Sequence, residues 1–140
     1  MRWADTFGPS LKLACDMARA YCDGFQTTEG SKKGWGEESV NTMVKHFPGG
    51  GPAECGRDAH YGFGKYSVYP GNNFEEHLKV FSEAAFKLDG PTGKASAVMP
   101  YYSISFDQDT KNKENVGNSF NRYFIGDLLR EQLGYEGVVC

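Results

Sequence analysis

The sequence lacks the features of several large protein classes. It has no run of about 18 apolar residues, which a membrane-spanning helix needs, and its N-terminus has no apolar secretory segment. Its 15 Lys and Arg against 18 Asp and Glu leave a net charge of −3, which disfavours a nucleic-acid or polybasic membrane surface. The four cysteines match no zinc-binding spacing, so we expect free, mostly buried thiols. We therefore predict no metal, cofactor, nucleic-acid partner or membrane partner.

Glycine and aromatic residues are abundant instead. The chain has 18 Gly, 8 Tyr, 10 Phe and 2 Trp in 140 residues. Many of them lie in residues 47–73, which have turn chemistry throughout. Because loops longer than about 12–15 residues in a compact domain are usually functional or disordered, and because this one is rich in aromatics, we predict an ordered, functional loop.

Three segments carry apolar residues at helical spacing. The spacing predicts helices from Leu11 to Phe25, from Phe74 to Leu88 and from about Phe120 to Leu133. We expect Ser10 and Asn73 to cap the first two. The predicted apolar stripe of the first helix consists of Ala14, Met17, Ala18, Tyr21 and Phe25.

Three shorter segments predict strands. They are Val40–Val44, Ala95–Met99 and a third that begins within Gly137–Cys140. The resulting order α-β-α-β-α-β implies a parallel sheet, either a doubly wound open sheet or part of a (β/α)₈ barrel. Both architectures place function at the carboxyl ends of the strands. The chain stops in its third strand, and we interpret this as truncation.

The residues that follow the first predicted strand are the sharpest functional candidates. Lys45 and His46 offer a cation and an imidazole that can donate hydrogen bonds to hydroxyls or to an anion. The glycines at 49–51 let a ligand approach the backbone closely. The alternative is a glycine-rich turn with a surface Lys and a packed His.

A second candidate is the pair Asp58 and His60. An Asp two residues from a His can orient the imidazole and stabilise its charge, which suits general acid–base chemistry. A salt-bridged turn with Arg57 is the alternative. We place His77 in the second helix, away from the functional edge, and His46, Cys55, His60 and His77 do not form a metal-ligand spacing.

These residues resemble glycoside hydrolase family 3, the β-glucosidases and β-N-acetylglucosaminidases. Lys45-His46-Phe47-Pro48-Gly49-Gly50-Gly51 resembles the family's K-H-F-x-G-x-G motif, and Asp58-x-His60 resembles its D-x-H loop. Further matching segments along the chain are Arg2-Trp3 with Thr6-Phe7-Gly8, Val98-Met99-Pro100-Tyr101-Tyr102-Ser103, Leu128-Leu129-Arg130 and Leu133-Gly134-Tyr135-Glu136-Gly137-Val138-Val139.

The resemblance implies that residues 1–140 are a fragment of the family's N-terminal catalytic barrel, a TIM-like (β/α)₈ barrel. The fragment would hold about three β/α units and be truncated at both ends, so the rest of the parent chain would complete the barrel. It implies retaining hydrolysis of terminal β-D-glucosyl residues. Lys45, His46 and Tyr102 would hold sugar hydroxyls, with Asp58 and His60 as further substrate-binding residues. Family members are often periplasmic or extracellular.

The resemblance also places the catalytic nucleophile outside this sequence. The family's run continues into [ST]-D-W, so its Asp would lie about two residues beyond Cys140, and we expect residues 1–140 alone to be inactive. A β-N-acetylglucosaminidase is the alternative, in which Asp58 and His60 would supply the acid/base. Asp5 stands where the family has an Arg, and this departure leaves open a third reading, a non-catalytic carbohydrate-binding paralogue.

Overall fold

A computed structural model of the protein describes residues 7–140. Its main helices and its strands, in chain order, are α1 (Leu11–Gln26), β1 (Met43–Phe47), β2 (Tyr66–Ser67), α2 (Phe74–Lys79), β3 (Ala97–Pro100), β4 (Ile104–Ser105), α3 (Tyr123–Gln132) and β5 (Val138–Val139). The predicted α-β-α-β-α-β order is confirmed by α1, β1, α2, β3, α3 and β5. The matching residues Arg2, Trp3 and Thr6 and the departure at Asp5 lie outside the described residues.

Helix α1 forms where predicted, but it buries a different face. Ser10 caps it, because its hydroxyl accepts a hydrogen bond from the Leu13 amide at 3.3 Å. The buried positions are Cys15, Ala18, Cys22 and Gln26. The predicted stripe was wrong for its large members, since Met17, Tyr21 and Phe25 are exposed. Small side chains on the buried face let α1 lie close to its neighbour, whereas the bulky residues cluster on the exposed side.

Strands β1, β3 and β5 form one sheet in the order β1-β3-β5. The pairing of β3 with β5 is parallel, with Ala97 opposite Val138 and Val98 opposite Val139. The predicted parallel sheet is therefore confirmed. The first strand was predicted three residues too early, so Lys45 and His46 lie within β1 rather than beyond its end.

The second and third helices contain π-helical turns, which the spacing of their apolar residues does not reveal. Helix α2 continues as a π-helical segment, Val80–Ala85, and ends there rather than at Leu88. Asn73 precedes α2 as predicted, and its carbonyl accepts from the His77 amide at 3.4 Å, but its side-chain oxygen is buried without a hydrogen-bond partner, so the expected side-chain cap does not form. Helix α3 is π-helical, with the Leu133 amide donating to the Leu128 carbonyl. Phe120, predicted at its start, is 88% exposed in a preceding 3₁₀ turn.

The described chain divides into two compact units. Unit 2 comprises the described residues up to Val44, Lys79–Met99 and Gly137–Cys140. Its core joins α1 to the π-helical segment: one cluster is Cys15, Ala18 and Ala84, and another is Cys22, Ala85 and Ala95. Gln26 is fully buried and hydrogen-bonds Thr42, Thr92, Lys94 and Ser96, so a polar side chain fastens the end of α1 to the strands.

Unit 1 comprises Lys45–Leu78 and Pro100–Glu136. It contains a small parallel sheet in which β2 pairs with β4, Tyr66 opposite Ile104 and Ser67 opposite Ser105. This sheet lies within segments predicted to be loops, and two-residue strands carry too little periodicity to be found from sequence. Residues 47–73, predicted to be ordered, contain β2, two 3₁₀ turns and backbone hydrogen bonds such as that from the Val68 amide to the Pro52 carbonyl at 2.9 Å.

Two further features complete the fold. All four cysteines are free, but only Cys15 and Cys22 are buried, so the expectation of mostly buried thiols was wrong for Cys55 and Cys140. Among the described residues, no helix combines the length and the apolarity that crossing a bilayer requires.

Candidate active site

The glycine-rich segment after β1 forms a close-packed turn in unit 1. The Lys45–His46 and Phe47–Pro48 peptide bonds are both cis. A Cβ added to Gly50 would lie 3.6 Å from the Tyr101 ring and 3.9 Å from His46 Nδ1. Gly49 has φ +150°, and a Cβ there would meet His77 at 3.1 Å. The geometry therefore favours glycine most at Gly49, whose φ and close approach to His77 leave a side chain little room, whereas a Cβ at Gly50 would make ordinary van der Waals contact.

The imidazole of His46 is held by an aromatic partner. Its ring stacks on Tyr101 with centroids 4.5 Å apart and an interplanar angle of 28°. The Tyr101 amide donates to the Phe47 carbonyl at 2.9 Å, which fixes the two segments side by side. Tyr101 is buried whereas Tyr102 is 63% exposed. The family resemblance pointed to Tyr102 as a sugar contact, whereas the ring that stacks on His46 is that of its neighbour Tyr101.

Asp58 and His60 form the pair that their spacing predicts. His60 Nδ1 lies 2.6 Å from Asp58 Oδ1, and the same oxygen accepts from the His60 amide at 2.9 Å. A carboxylate in this position favours a proton on Nδ1 and leaves Nε2 as the second functional nitrogen. Both side chains are a little under half exposed. Arg57 donates instead to the Phe63 carbonyl at 3.5 Å.

Ring contacts join the two predicted motifs into one set. The edge of one ring faces the other in the His60–Tyr102 pair, with centroids 5.2 Å apart. Tyr102 follows Tyr101 with ring centroids at 6.5 Å, and Tyr101 stacks on His46. A continuous series of contacts therefore runs from His46 to Asp58. Lys45, adjacent to His46 on β1, is exposed beside it. We call Lys45, His46, Tyr102, His60 and Asp58 the polar set.

A buried hydroxyl network supports the small sheet under this set. Ser67 donates to Ser103 at 3.0 Å, and Tyr69 hydrogen-bonds Ser105 at 2.9 Å. Asn118 donates to the Ser103 hydroxyl at 3.3 Å, and its side-chain oxygen accepts from the Ser105 amide. Burial raises the pKa of Tyr69 to about 12, although its hydrogen bond to Ser105 opposes this. Nothing in the local sequence around these serines indicated such a network.

His77 corrects a second sequence expectation. It was placed away from the functional edge, but its imidazole lies against the glycine turn, 3.4 Å from the Cβ position of Gly51. Its ring also meets Tyr69 edge-on at 5.5 Å. Burial lowers the pKa of His77, and the nearby Glu76 carboxylate opposes the shift. Within residues 7–140 no group of three or more His, Cys, Asp or Glu side chains is arranged to hold a metal.

Comparison with known sequences identifies a family match over nearly the whole chain. The model for the glycosyl hydrolase family 3 N-terminal domain matches residues 2–140. A probable β-glucosidase C from Aspergillus flavus is 43% identical over 141 residues, covering 99% of this chain and 20% of its own length. A periplasmic β-glucosidase/β-xylosidase from Dickeya chrysanthemi is 38% identical, covering 96% of this chain and 19% of its own. The chain thus spans about a fifth of the length of these relatives.

Comparison with solved structures supports the fold. The zinc-bound crystal structure of CbsA from Thermotoga neapolitana superposes with a TM-score of 0.62 and covers 96% of this chain and 24% of that one. The two sequences are 20% identical. The α/β architecture, with helices between parallel strands, is consistent with part of a TIM-like barrel.

Proposed function

The chain belongs to glycosyl hydrolase family 3, and from that premise we propose that it carries the sugar-binding part of a β-glucosidase. The reaction would be retaining hydrolysis of terminal β-D-glucosyl residues. The proposal rests chiefly on the series of ring contacts that connects His46 to the Asp58-x-His60 motif. These contacts run through Tyr101 and the exposed Tyr102. Both relatives reported above are named as β-glucosidases.

The polar set has the donors that a hexose requires. Lys45 and His46 are consecutive residues of β1. We expect the Lys45 ammonium and the His46 imidazole to donate hydrogen bonds to sugar hydroxyls, and such bonds would strengthen as charge develops in an oxocarbenium-like transition state. Tyr102 offers a ring and a hydroxyl at the surface. His46 is pre-positioned because stacking on Tyr101 restricts its side-chain rotation, so little ordering is needed on binding.

We place the carboxylate nucleophile outside residues 1–140. A retaining glycosidase needs two carboxyl groups about 5–5.5 Å apart, and in the polar set the carboxylate is Asp58, already hydrogen-bonded to His60. Since the relatives are about five times as long, residues 1–140 would act as part of an N-terminal catalytic barrel in a longer parent protein. By themselves they would bind sugar without hydrolysing it.

A substrate comparison tests this function. We expect the parent protein to hydrolyse 4-nitrophenyl β-D-glucoside roughly 100-fold or more faster, as kcat/KM, than the corresponding N-acetyl-β-D-glucosaminide. The chain 1–140 should release no nitrophenol from either. Turnover by 1–140 would refute the external nucleophile, and sugar binding by the parent protein without hydrolysis would favour a non-catalytic binding protein.

The Asp58–His60 contact favours β-N-acetylglucosaminidase as a second candidate. At 2.6 Å the carboxylate can orient the imidazole for proton transfer. If His60 is the acid/base, Asp58→Asn should lower kcat by roughly 10²- to 10⁴-fold and move the pH profile. If His60 only binds glucose, the same change should chiefly raise KM. Lys33→Ala, at an exposed loop position, is the control that should alter neither constant.

A further inference from the structure

The glycine turn, residues 49–51, is contacted by two different sets of rings. A Cβ at either outer glycine would meet His77, at 3.1 and 3.4 Å. A Cβ at the middle glycine, Gly50, would instead meet the Tyr101 ring at 3.6 Å and His46 Nδ1 at 3.9 Å. The turn is therefore packed between the imidazole of His77 and the stack that His46 forms on Tyr101.

The side chain of His77 is itself held in place. It is half-buried on α2, where its amide donates to the Asn73 carbonyl at 3.4 Å. Its ring meets that of Tyr69 edge-on at 5.5 Å, and the Tyr69 hydroxyl hydrogen-bonds Ser105 at 2.9 Å. These contacts connect the imidazole to the small sheet of unit 1, so His77 offers the glycine turn a fixed surface to pack on.

The glycine turn needs such a surface because glycine gives a backbone more conformational freedom than any other residue. Three glycines in a row, one of them with φ +150°, keep a single conformation only where their surroundings impose it. The His46 imidazole shares this turn as a neighbour, through Gly50. A displaced turn would leave space beside that imidazole, and a misplacement of about 1 Å at a reacting site can cost roughly 100-fold in rate.

We propose that His77 is a positioning residue of the sugar site. By packing against the glycine turn it holds the turn against the His46–Tyr101 stack, and so keeps the His46 imidazole oriented toward a sugar hydroxyl. The inference rests on the proposed function for the identity of the ligand, a β-glucoside. His77 acts by ring contact alone; it neither touches the sugar nor transfers a proton.

Truncation of His77 in the parent protein tests this role. His77→Ala removes the ring and should lower both glucose affinity, measured by calorimetry, and kcat/KM for 4-nitrophenyl β-D-glucoside about 10- to 100-fold. His77→Phe keeps a ring against the turn and should restore both constants to within about threefold of wild type. The matched control is Leu128→Ala, which truncates another buried side chain of unit 1 and should reduce stability without changing either constant.

A second readout reports the His46 imidazole directly and needs no sugar. Diethyl pyrocarbonate acylates accessible imidazoles, and peptide mass spectrometry gives the labelling rates of His46 and His60 in the same sample. His77→Ala should raise the rate of His46 relative to His60 about two- to tenfold, and Leu128→Ala should leave this ratio unchanged. His77→Val, a milder truncation that keeps a Cβ against the turn, should change both readouts in the same direction by less, and it decides the question if His77→Ala does not fold.

The outcomes separate the positioning role from the proposed function. Wild-type glucose affinity in the truncated variants, an unchanged labelling ratio, or an equal loss of affinity in the Leu128 control would each overturn the positioning role. If wild type neither binds nor hydrolyses glucosides, the β-glucosidase is refuted and the labelling ratio alone decides on His77. If wild type hydrolyses the glucoside and the truncations change neither readout, the proposed function stands and the positioning role is refuted.

Discussion

Lys45 and His46 are neighbours on one strand, yet their surroundings differ. Lys45 is exposed, whereas His46 is half-buried and stacked on Tyr101. The imidazole therefore has a defined position before a ligand arrives, while the ammonium lies on a flexible stem. We expect His46 to fix the orientation of a bound sugar and Lys45 to contribute its positive charge.

Alanine substitutions separate these two contributions. Hydrogen bonds from charged donors contribute about 1.5–3 kcal/mol, so Lys45→Ala should weaken glucose binding roughly 10- to 100-fold. His46→Ala should weaken binding by a similar factor and also loosen Tyr101, visible as a change in its aromatic NMR signals. Lys33→Ala serves as the charge-matched control. If both site variants bind glucose as wild type does, the polar set is not the sugar site.

Gly62 and Gly64 lie two residues apart in one 3₁₀ turn and offer a matched pair of substitution sites. A Cβ at Gly64 meets the Asp58 backbone, whereas a Cβ at Gly62 meets nothing within 4 Å. We expect Gly64→Ala to lower the free energy of unfolding by about 1–3 kcal/mol, because a Cβ there meets backbone that has to move. Gly62→Ala should stay within about 0.5 kcal/mol of wild type. If Gly64→Ala and Gly62→Ala had equal midpoints of urea unfolding, Gly64 would not be packed against the Asp58 backbone as described.

At the scale of elements, sequence periodicity located the helices better than it identified their buried faces. In α1 the large apolar residues suggested the core, but the buried side uses Cys15, Ala18, Cys22 and Gln26. The partners of the three smaller residues are themselves small, Ala84, Ala85 and Ala95, and such a contact leaves little signal in the pattern of large apolar residues. From the sequence alone Gln26 looks like a surface residue, because a polar side chain is buried only where it finds hydrogen-bond partners. Its partners, among them Thr42 and Ser96, lie far away along the chain.

The buried position of His77 in α2 should make the stability of the fold depend on pH. Its pKa is lowered by burial in the folded chain, so the unfolded chain takes up the proton first as pH falls. Stability should be unaffected by this group well above its ordinary pKa of about 6.5 and should decrease as pH falls below that value. The groups facing the imidazole are the Tyr69 ring, the Glu76 carboxylate and the glycine turn.

Urea unfolding between pH 8 and pH 5 checks this pH dependence. Wild type should lose unfolding free energy more steeply in this range than His77→Phe, which keeps a ring against Tyr69 but cannot be protonated. Carboxylates contribute to both slopes equally, so the difference reports His77. Parallel slopes in the two proteins would show that the imidazole is not buried as described.

For the molecule as a whole, the alternation of elements and the family motifs predicted the parallel sheet and the polar residues. They did not predict how Asp58-x-His60 reaches His46, because that depends on Tyr101, on the two-residue strands β2 and β4 and on buried serines. Those contacts join segments 36 to 55 residues apart and leave no local periodicity. The glycines at 49–51 were predicted to let a ligand approach the backbone; in the folded chain the ring that lies against Gly49 and Gly51 is that of His77, which the sequence did not indicate.

The most direct test of the central claim, a retaining β-glucosidase, is the anomeric outcome of hydrolysis. Proton NMR would follow freshly released glucose while the parent protein hydrolyses 4-nitrophenyl β-D-glucoside. We predict that β-D-glucose appears first and that the α-anomer follows only by mutarotation, as a covalent glycosyl intermediate requires. Initial release of α-D-glucose, or no release of glucose, would contradict the account.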